Sequence, residues 1–349
     1  MDERRGARLT APDAKHMLVF DGGSLPDEYR GGVVAIGNFD GVHRGHQAVL
    51  ECAREIARGR GRPVGAVTFE PHPRTFFNPR NPVFRLTPCP LKARLIQALA
   101  FDFMAVLPFD AELAGLSPQA FASKVLAERL GVSHVVTGTD FRFGKARQGD
   151  IKVLESEGAG LGFAVTPLGL AGAGTDAIPF SSSAVREALT EGRLDDAAHI
   201  LGYRWMIMGE VIPGEKRGRE IGFPTLNVAL GEGVTPRLGI YAVRVRIDGG
   251  AGKPWRGAGY IGHRPTFGGS GIFLEVHLFD FQGDLYGQTV LVEFISFVRD
   301  DRSFDSVDAL KAQMAEDCSA IRSILDEHDR SPDPVTEYPL GLAQVENRL

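Results

Sequence analysis

Two histidines three residues apart, His43 and His46, close the string VVAIGNFDGVHRGH at 33–46. The apolar run at 33–36 reads as a buried strand, Gly37 and Gly41 mark a turn, and 47–56 reads as a helix. A strand that passes through a glycine turn into a helix start is a place to hold phosphate. The first helical N–H groups have no partner within the helix, and the dipole there favours an anion. Residues three apart on a helix share a face, so both imidazoles can point at the same phosphates. By itself an H-x-x-H pair is a weak signal that also fits a βα turn carrying two surface histidines, but the whole string is specific.

Other segments carry the same kind of chemistry. TFEPHP at 68–73 puts Pro71, His72 and Pro73 directly after a strand, which fixes the exit path of the chain. GTDFRFGKARQGD at 138–150 combines Gly138 and Asp140 with Phe141, Phe143 and the cations Arg142, Lys145 and Arg147. SSSAVRE at 181–187 puts Ser182 and Ser183 at a helix start and Arg186 in the first turn, where hydroxyls, free N–H groups and a guanidinium can hold phosphate. Further on, Gly209, Gly214, Gly218 and Gly222 punctuate a basic loop with Lys216, Arg217 and Arg219, whose backbone can approach phosphate closely. No G-K-[ST] ends that loop, so it is not a Walker A motif. Alone, these stretches also fit a rigid loop, a solvated loop, an N-cap with a surface arginine and a solvated hairpin.

The elements that must position these residues fall into two patterns. From 33 to about 180, apolar strand-like runs at 63–69, 103–107, 134–137 and 163–168 alternate with helical spacing at 90–100 and 117–130, the latter with Ser117 as its cap. Such alternation implies a mainly parallel sheet covered on both faces, with ligands at the carboxyl ends of its strands. A stretch at 182–201 reads as helical. Beyond Gly202, short strands at 205–211, 241–247, 258–261, 273–279 and 290–298 follow one another between glycine-rich turns, which suggests a closed barrel. A last helix at 306–328 carries Val307, Leu310, Met314 and Ile321 for packing on the barrel, and the tail from Ser331 reads as a strap or as disordered. Residues 1–30 are uninformative.

Composition bounds the function classes. The chain has 349 residues, 43% apolar and 24% charged, with a net charge of −5 and both signs mixed. That is enough for about two domains of ~150 residues. It offers no basic block for nucleic acid and no polybasic segment for an anionic membrane. The three cysteines, Cys52, Cys89 and Cys318, form no C-x-x-C pair and suggest neither zinc nor a disulfide framework. The N-terminal stretch lacks an apolar signal core, and no run approaches the ~18 apolar residues of a membrane span. A reduced cytoplasmic setting is the expectation.

In this order the motifs resemble the bacterial bifunctional riboflavin kinase/FMN adenylyltransferase family, the prokaryotic FAD synthetases. The family pattern runs G-N-F-D-G-x-H-x-G-H, F-x-P-H-P, G-x-D-F-x-F-G, then I-S-S-T-x-I-R. Phe180, Ser183 and Val185 depart from the last motif, and Ser183 keeps the hydroxyl. The resemblance implies attack by the FMN phosphate on the α-phosphorus of ATP, with pyrophosphate leaving and no covalent intermediate. His43 and His46 would then hold the ATP phosphates and Arg186 the departing pyrophosphate. Gly37, Asn38, Phe39, Gly41, Gly138, Asp140, Ser182 and Ser183 would form the nucleotide pocket, and Pro71, His72 and Pro73 would face flavin.

The second half resembles riboflavin kinases. Pro224-Thr225-Leu226-Asn227 is similar to their P-T-A-N motif, with Leu226 on the opposite face of an extended segment. The resemblance implies that Thr225 and Asn227 reach Mg²⁺ and phosphate, and that Gly214, Lys216, Gly218 and Arg219 line the ATP site. LEVHLFDFQGDLYG at 274–287 resembles the strand with the general base, and alternation puts Glu275, His277 and Phe279 on one face. Glu275 would take the proton of the flavin's terminal hydroxyl. Arg299, in the segment that closes over the flavin ring, is a candidate flavin contact. His263 stands where Asn or Thr is common and receives no role. Both resemblances together cover about 31–325.

The implied architecture is α/β plus β-barrel: a Rossmann-like nucleotidyltransferase domain at 1–186, a helical linker at 187–202, an antiparallel riboflavin-kinase barrel with a closing helix at 203–330, and a tail at 331–349. The implied substrates are riboflavin, FMN and ATP, with Mg²⁺ as cofactor, and the chain is expected as a monomer or weak homo-oligomer without nucleic-acid or membrane partners. Two other readings compete. One is a flavin or nucleotide sensor with a decayed site, which requires losses at His43, His46, Thr225, Asn227 or Glu275. The other is a single-activity cytidylyltransferase-like enzyme with an unrelated barrel, which the Thr225, Asn227 and Glu275 set opposes.

Overall fold

The computed structural model describes residues 17–20, 23–169, 180–214, 218, 222–230, 236–248, 250, 252–263 and 272–349. Residues up to 83 and 87–180 form one compact unit, and 84–86 with 181–348 form another.

The first unit is a parallel sheet of six strands in the order β1-β4-β3-β2-β5-β6. They are β1 (Leu18–Phe20), β2 (Val33–Ile36), β3 (Val64–Glu70), β4 (Phe103–Pro108), β5 (His134–Gly138) and β6 (Ala164–Leu168). The middle strands read as nearly continuous apolar runs because both of their faces are covered: every residue of β2 is buried, and so are Val64–Phe69 of β3. The core gathers Val34, Ile36, Val67, Leu107, Leu126 and Val135. Strand order runs outward from β2 in both directions, so the crevice between the carboxyl ends of β2 and β5 is the topological switch point.

Several elements differ from the sequence reading. Leu18–Phe20, inside the stretch read as uninformative, pairs in parallel with β4 as an edge strand. The 117–130 segment begins as expected, with Ser117 Oγ accepting from Ala120 N at 3.1 Å, but Phe121–Arg129 then continues with π-helical pairing. Helix Ile151–Leu161, capped by Asp150, went unread because only Leu154 and Gly158 of its residues are buried. The 182–201 stretch is two helices, Ser182–Thr190 and Leu194–Leu201, broken where Gly192 takes φ +77°.

The second unit is a closed barrel in the order β10-β11-β8-β7-β12-β9, with antiparallel pairing throughout. Its strands are β7 (Met206–Ile212), β8 (Leu226–Val228), β9 (Gly239–Ile247), β10 (Trp255–His263), β11 (Ile272–Leu278) and β12 (Thr289–Asp300). The last long helix, Val307–Arg330, starts at its Ser306 cap. It packs through Cys318, Ile321, Ile324 and Leu325 against Ala242, Phe279 and Ile295. Val307, expected on that face, is 57% exposed, because it sits in the first turn, ahead of the packed half.

The tail is ordered rather than loose. Pro334–Glu337 forms a 3₁₀ turn and Pro339–Val345 a helix. Asp333 receives two bonds from the buried Arg204 guanidinium, at 2.9 and 3.1 Å. Gln344 brackets the Arg204 backbone, accepting from its N–H at 2.8 Å and donating to its carbonyl at 2.9 Å.

Candidate active sites

In the first unit the chain leaves β2 through a strained turn. Phe39 and Val42 hold φ of +47° and +37°, and Gly41 +86°. Positive φ is costly for a side chain such as Phe or Val and persists only where surrounding bonds over-determine it. Those bonds are present. Gly41 N–H donates to Thr87 Oγ1 at 2.8 Å, Thr87 N–H donates to the buried Asp40 Oδ1 at 3.0 Å, and Thr68 Oγ1 donates to the Asn38 carbonyl at 3.0 Å. Gly37 lies under the Phe39 ring, where a Cβ would meet ring carbon at 3.2 Å.

His43 caps the helix Arg44–Arg60, its Nδ1 accepting from the His46 backbone N–H at 3.3 Å. The helix therefore begins three residues earlier than the sequence reading, and the two histidines are its cap and its first turn. Their rings stack with centroids 3.6 Å apart, and Phe39 meets the His46 ring edge-on at 5.4 Å. Gly45 makes this stack possible: a Cβ there would press on the His43 ring and on the Phe180 carbonyl, each at 3.2 Å. Burial first, then His43 and Lys92, hold the His46 imidazole well below the usual histidine range, so it is neutral at pH 7. Its Nδ1 is buried without a hydrogen-bond partner among the described residues.

The neighbouring strand ends carry two of the other expected segments. His72 caps the short helix Pro73–Phe77, accepting from Arg74 N–H at 3.1 Å, with Pro73 at its first position. Beside this loop the rings of Phe76, Phe77 and Phe109 meet edge-on, and Phe77 is 69% exposed. Gly138 ends β5, and a Cβ there would lie 2.8 Å from Asp140 Oδ1, so that carboxylate folds back over the strand end. Phe141 and Phe143 stack beneath the loop with centroids 5.6 Å apart. Ser181, rather than Ser182 or Ser183, caps its helix, accepting from Ala184 N–H at 3.2 Å. Ser182 and Ser183 occupy the first helical positions. Arg186 belongs to the second unit, where its Nε donates to the Phe84 carbonyl at 2.6 Å.

In the barrel, register assembles the second constellation. Glu275 on β11 faces Asn227 on β8 and Tyr260 on β10. Thr225 Oγ1 donates to Glu275 Oε2 at 3.4 Å, which leaves hydroxyl lone pairs for a ligand. Gly214 packs on the Asn227 amide: a Cβ there would lie 2.1 Å from Nδ2. Gly218 meets the same segment, its carbonyl accepting from Phe223 N–H at 2.8 Å. His277 Nδ1 lies 2.8 Å from the Pro224 carbonyl and so holds the start of P-T-L-N, a role the sequence reading did not give it. Burial, then a 2.8 Å bond from its hydroxyl to Asp301, pushes Tyr260 above the usual phenol range.

Lys216 and Arg219 lie outside the described residues. Arg299 forms a fork with Asp317 at 2.9 and 2.7 Å and donates to the Asp300 carbonyl, tying β12 to the last helix. His263 ends β10 as an exposed residue. Sequence reasoning also passed over Lys92, Thr87 and Thr68, which brace the first turn. Their signal was faint: single polar residues inside apolar stretches.

The comparisons with known proteins divide the chain in the same way. The sequence pattern of the FAD synthetase family matches residues 25–183, and that of the riboflavin kinase family matches 201–325. A bifunctional riboflavin kinase/FMN adenylyltransferase of Pseudomonas fluorescens is 41% identical over 86% of this chain and 95% of its own length. One from Escherichia coli K12 is 42% identical over 82% and 90%. A solved structure named as a macrolide-efflux protein from Streptococcus pneumoniae superposes with a TM-score of 0.75 at 27% identity, covering 88% of this chain and 99% of its own. Among the described residues of this chain no helix is long and apolar enough to cross a membrane. The chain belongs to the bifunctional riboflavin kinase/FMN adenylyltransferase family.

Proposed function

We propose that this transferase phosphorylates riboflavin with ATP to give FMN in its barrel, and adenylylates FMN with a second ATP to give FAD and pyrophosphate from its α/β unit. The observation that carries the reading is the coexistence, in one chain, of the His43/His46 stack at a switch-point helix start and of Thr225, Asn227 and Glu275 on adjoining barrel strands.

For adenylyl transfer, an FMN phosphate oxygen attacks the α-phosphorus while the bond to pyrophosphate breaks. The protein's task is to position the groups and neutralise developing charge. Neutral His46 donates rather than carrying charge, the dipole at the start of the Arg44–Arg60 helix favours phosphate, and Arg186 is proposed as a cation for pyrophosphate from its family motif. The exposed Phe77 ring offers apolar surface to flavin beside Pro71, His72 and Pro73.

For phosphorylation, the riboflavin 5′-hydroxyl attacks the γ-phosphorus, ADP leaves, and Glu275 accepts the hydroxyl proton. Magnesium fits the donor set. Thr225 and Asn227 carry hard oxygens on one short segment beside Glu275. Mg²⁺ bound by one or two protein oxygens plus nucleotide phosphates is its usual mode, and bound there it offsets phosphate charge. Thr225 and Asn227 would hold it. The proposal places the reactions in the cytoplasm and needs no second chain.

Incubating the protein with riboflavin, ATP and Mg²⁺ and separating the flavins tests this reading. Successive appearance of FMN and FAD is expected. Riboflavin left unchanged would favour a flavin-binding sensor.

A further inference from the structure

A buried lysine lies beneath the phosphate-binding turn. Lys92, on the helix Cys89–Ala98, is 1% exposed. Its Nζ donates to Thr68 Oγ1 at 3.1 Å and meets Glu70 Oε1 at 3.4 Å. Thr68, itself fully buried, passes its own proton on to the Asn38 carbonyl at 3.0 Å. The bonds run in one direction, from ammonium to hydroxyl to the carbonyl of the turn that presents His43 and His46. Desolvating an ammonium is expensive, and an apolar side chain of similar length would fill the same space without that cost.

We propose that Lys92 is a positioning residue for adenylyl transfer: through Thr68 it fixes the Asn38 carbonyl, and its ammonium, paired with Glu70, sets a positive charge behind His46. The inference rests on the assignment of the His43/His46 stack to that reaction. Two consequences separate it from a role in stability alone. The relay aligns the turn, and a misplacement of the order of 1 Å in such a site costs about 10²-fold in rate. The charge acts on the titration of His46. Among the described residues, the groups that face that ring are His43 from the cap, Phe39 from the turn and Lys92 from its own helix, with Glu70 of β3 as the counter-ion of Lys92. Of these, Lys92 supplies the ammonium that disfavours protonation of His46.

The test uses the full-length enzyme and three variants, Lys92→Met, Lys92→Arg and Thr68→Val, assayed separately for FMN-to-FAD and riboflavin-to-FMN conversion across pH. Lys92→Met is expected to lower kcat for FAD formation by about 10- to 100-fold, to leave FMN formation at the wild-type rate, and to move the acid limb of the FAD profile to higher pH. Thr68→Val, which keeps volume but breaks the relay, is expected to lower kcat without moving that limb. Lys92→Arg is expected to keep the limb in place. Should Lys92→Met be insoluble, the Thr68→Val and Lys92→Arg pair decides alone. An unchanged kcat in Thr68→Val, or an acid limb that stays put in Lys92→Met, overturns the inference. His46→Ala is run alongside: if it makes FAD at full rate, the site reading itself fails, whereas a defective His46→Ala beside a normal Lys92→Met sinks only the lysine proposal.

Discussion

Glu275 and Asn227 are register partners on adjoining antiparallel strands, β11 and β8. Forty-eight positions apart in sequence, they are set side by side by the barrel ladder, and Thr225, two residues before Asn227, reaches the Glu275 carboxylate. The proposed base and the proposed metal-side oxygens of the kinase reaction thus lie side by side at one short stretch of the barrel.

That patch sets the first expectation. Glu275→Gln keeps the size and one carbonyl oxygen but cannot accept a proton, so FMN formation falls by about 10²–10⁴-fold, the usual contribution of a general base. Conversion of supplied FMN to FAD continues at the wild-type rate. Assays started from each flavin check the contrast, and equal loss in both would indicate a folding defect.

The His46 ring gives a second. Its folded-state pKa lies below that of an unfolded histidine, about 6.5. The unfolded chain therefore binds this proton first, and the stability associated with the neutral ring is present above pH 6.5 and declines as pH falls below it. FAD formation is expected to persist below pH 6.5 before its acid limb appears. A limb centred at or above 6.5 in the pH–rate profile would contradict a buried neutral imidazole.

Two glycines offer a paired test of close approach. Gly45→Ala pushes a methyl group onto the His43 ring and the Phe180 carbonyl, and Gly214→Ala drives one into the Asn227 amide. The first is expected to slow FAD formation by at least tenfold with FMN formation intact, and the second to do the reverse. Substitutions with matching effects on both reactions would show that the two constellations are not separate.

How much of this was legible in the sequence follows the range of the forces. The β2 run, the glycine turn, the Ser117 cap, the last helix from 306 and the strand series after Gly202 are local patterns and could be read directly. Residues joined by sheet register could not: nothing in the spacing of Thr225, Asn227 and Glu275 puts them together, and their link came from family resemblance. Lys92 was missed because a lone lysine in an apolar helix is usually a solvated residue. Arg299 shows the converse. Its type suits a flavin contact, but its guanidinium is engaged by Asp317, a partner that only the packing of the last helix brings near.

The ordered tail gives a fourth expectation. Burial alone would raise Asp333, but bonds from His328 and Arg204 outweigh it and hold the carboxyl well below the usual carboxylate range. A depressed carboxylate adds stability above its unfolded pKa of about 3.9, and that stability is lost as pH falls through and below this value. Asp333→Asn, which removes one charged partner of the buried Arg204 and leaves it Asp195, is expected to cost about 1–3 kcal/mol at pH 7. The gap from wild type should narrow below about pH 4. Denaturant unfolding at both pH values measures it, and a constant gap would remove Asp333 from the linkage.

The central claim is that one chain holds two separable active sites. Mixing tests it most directly: His46→Ala and Glu275→Gln are each given riboflavin, ATP and Mg²⁺, alone and together, and the flavins are separated. His46→Ala should stop at FMN, Glu275→Gln should leave riboflavin, and the mixture should make FAD. A mixture that makes no FAD, or a His46→Ala enzyme that also leaves riboflavin untouched, would contradict the account.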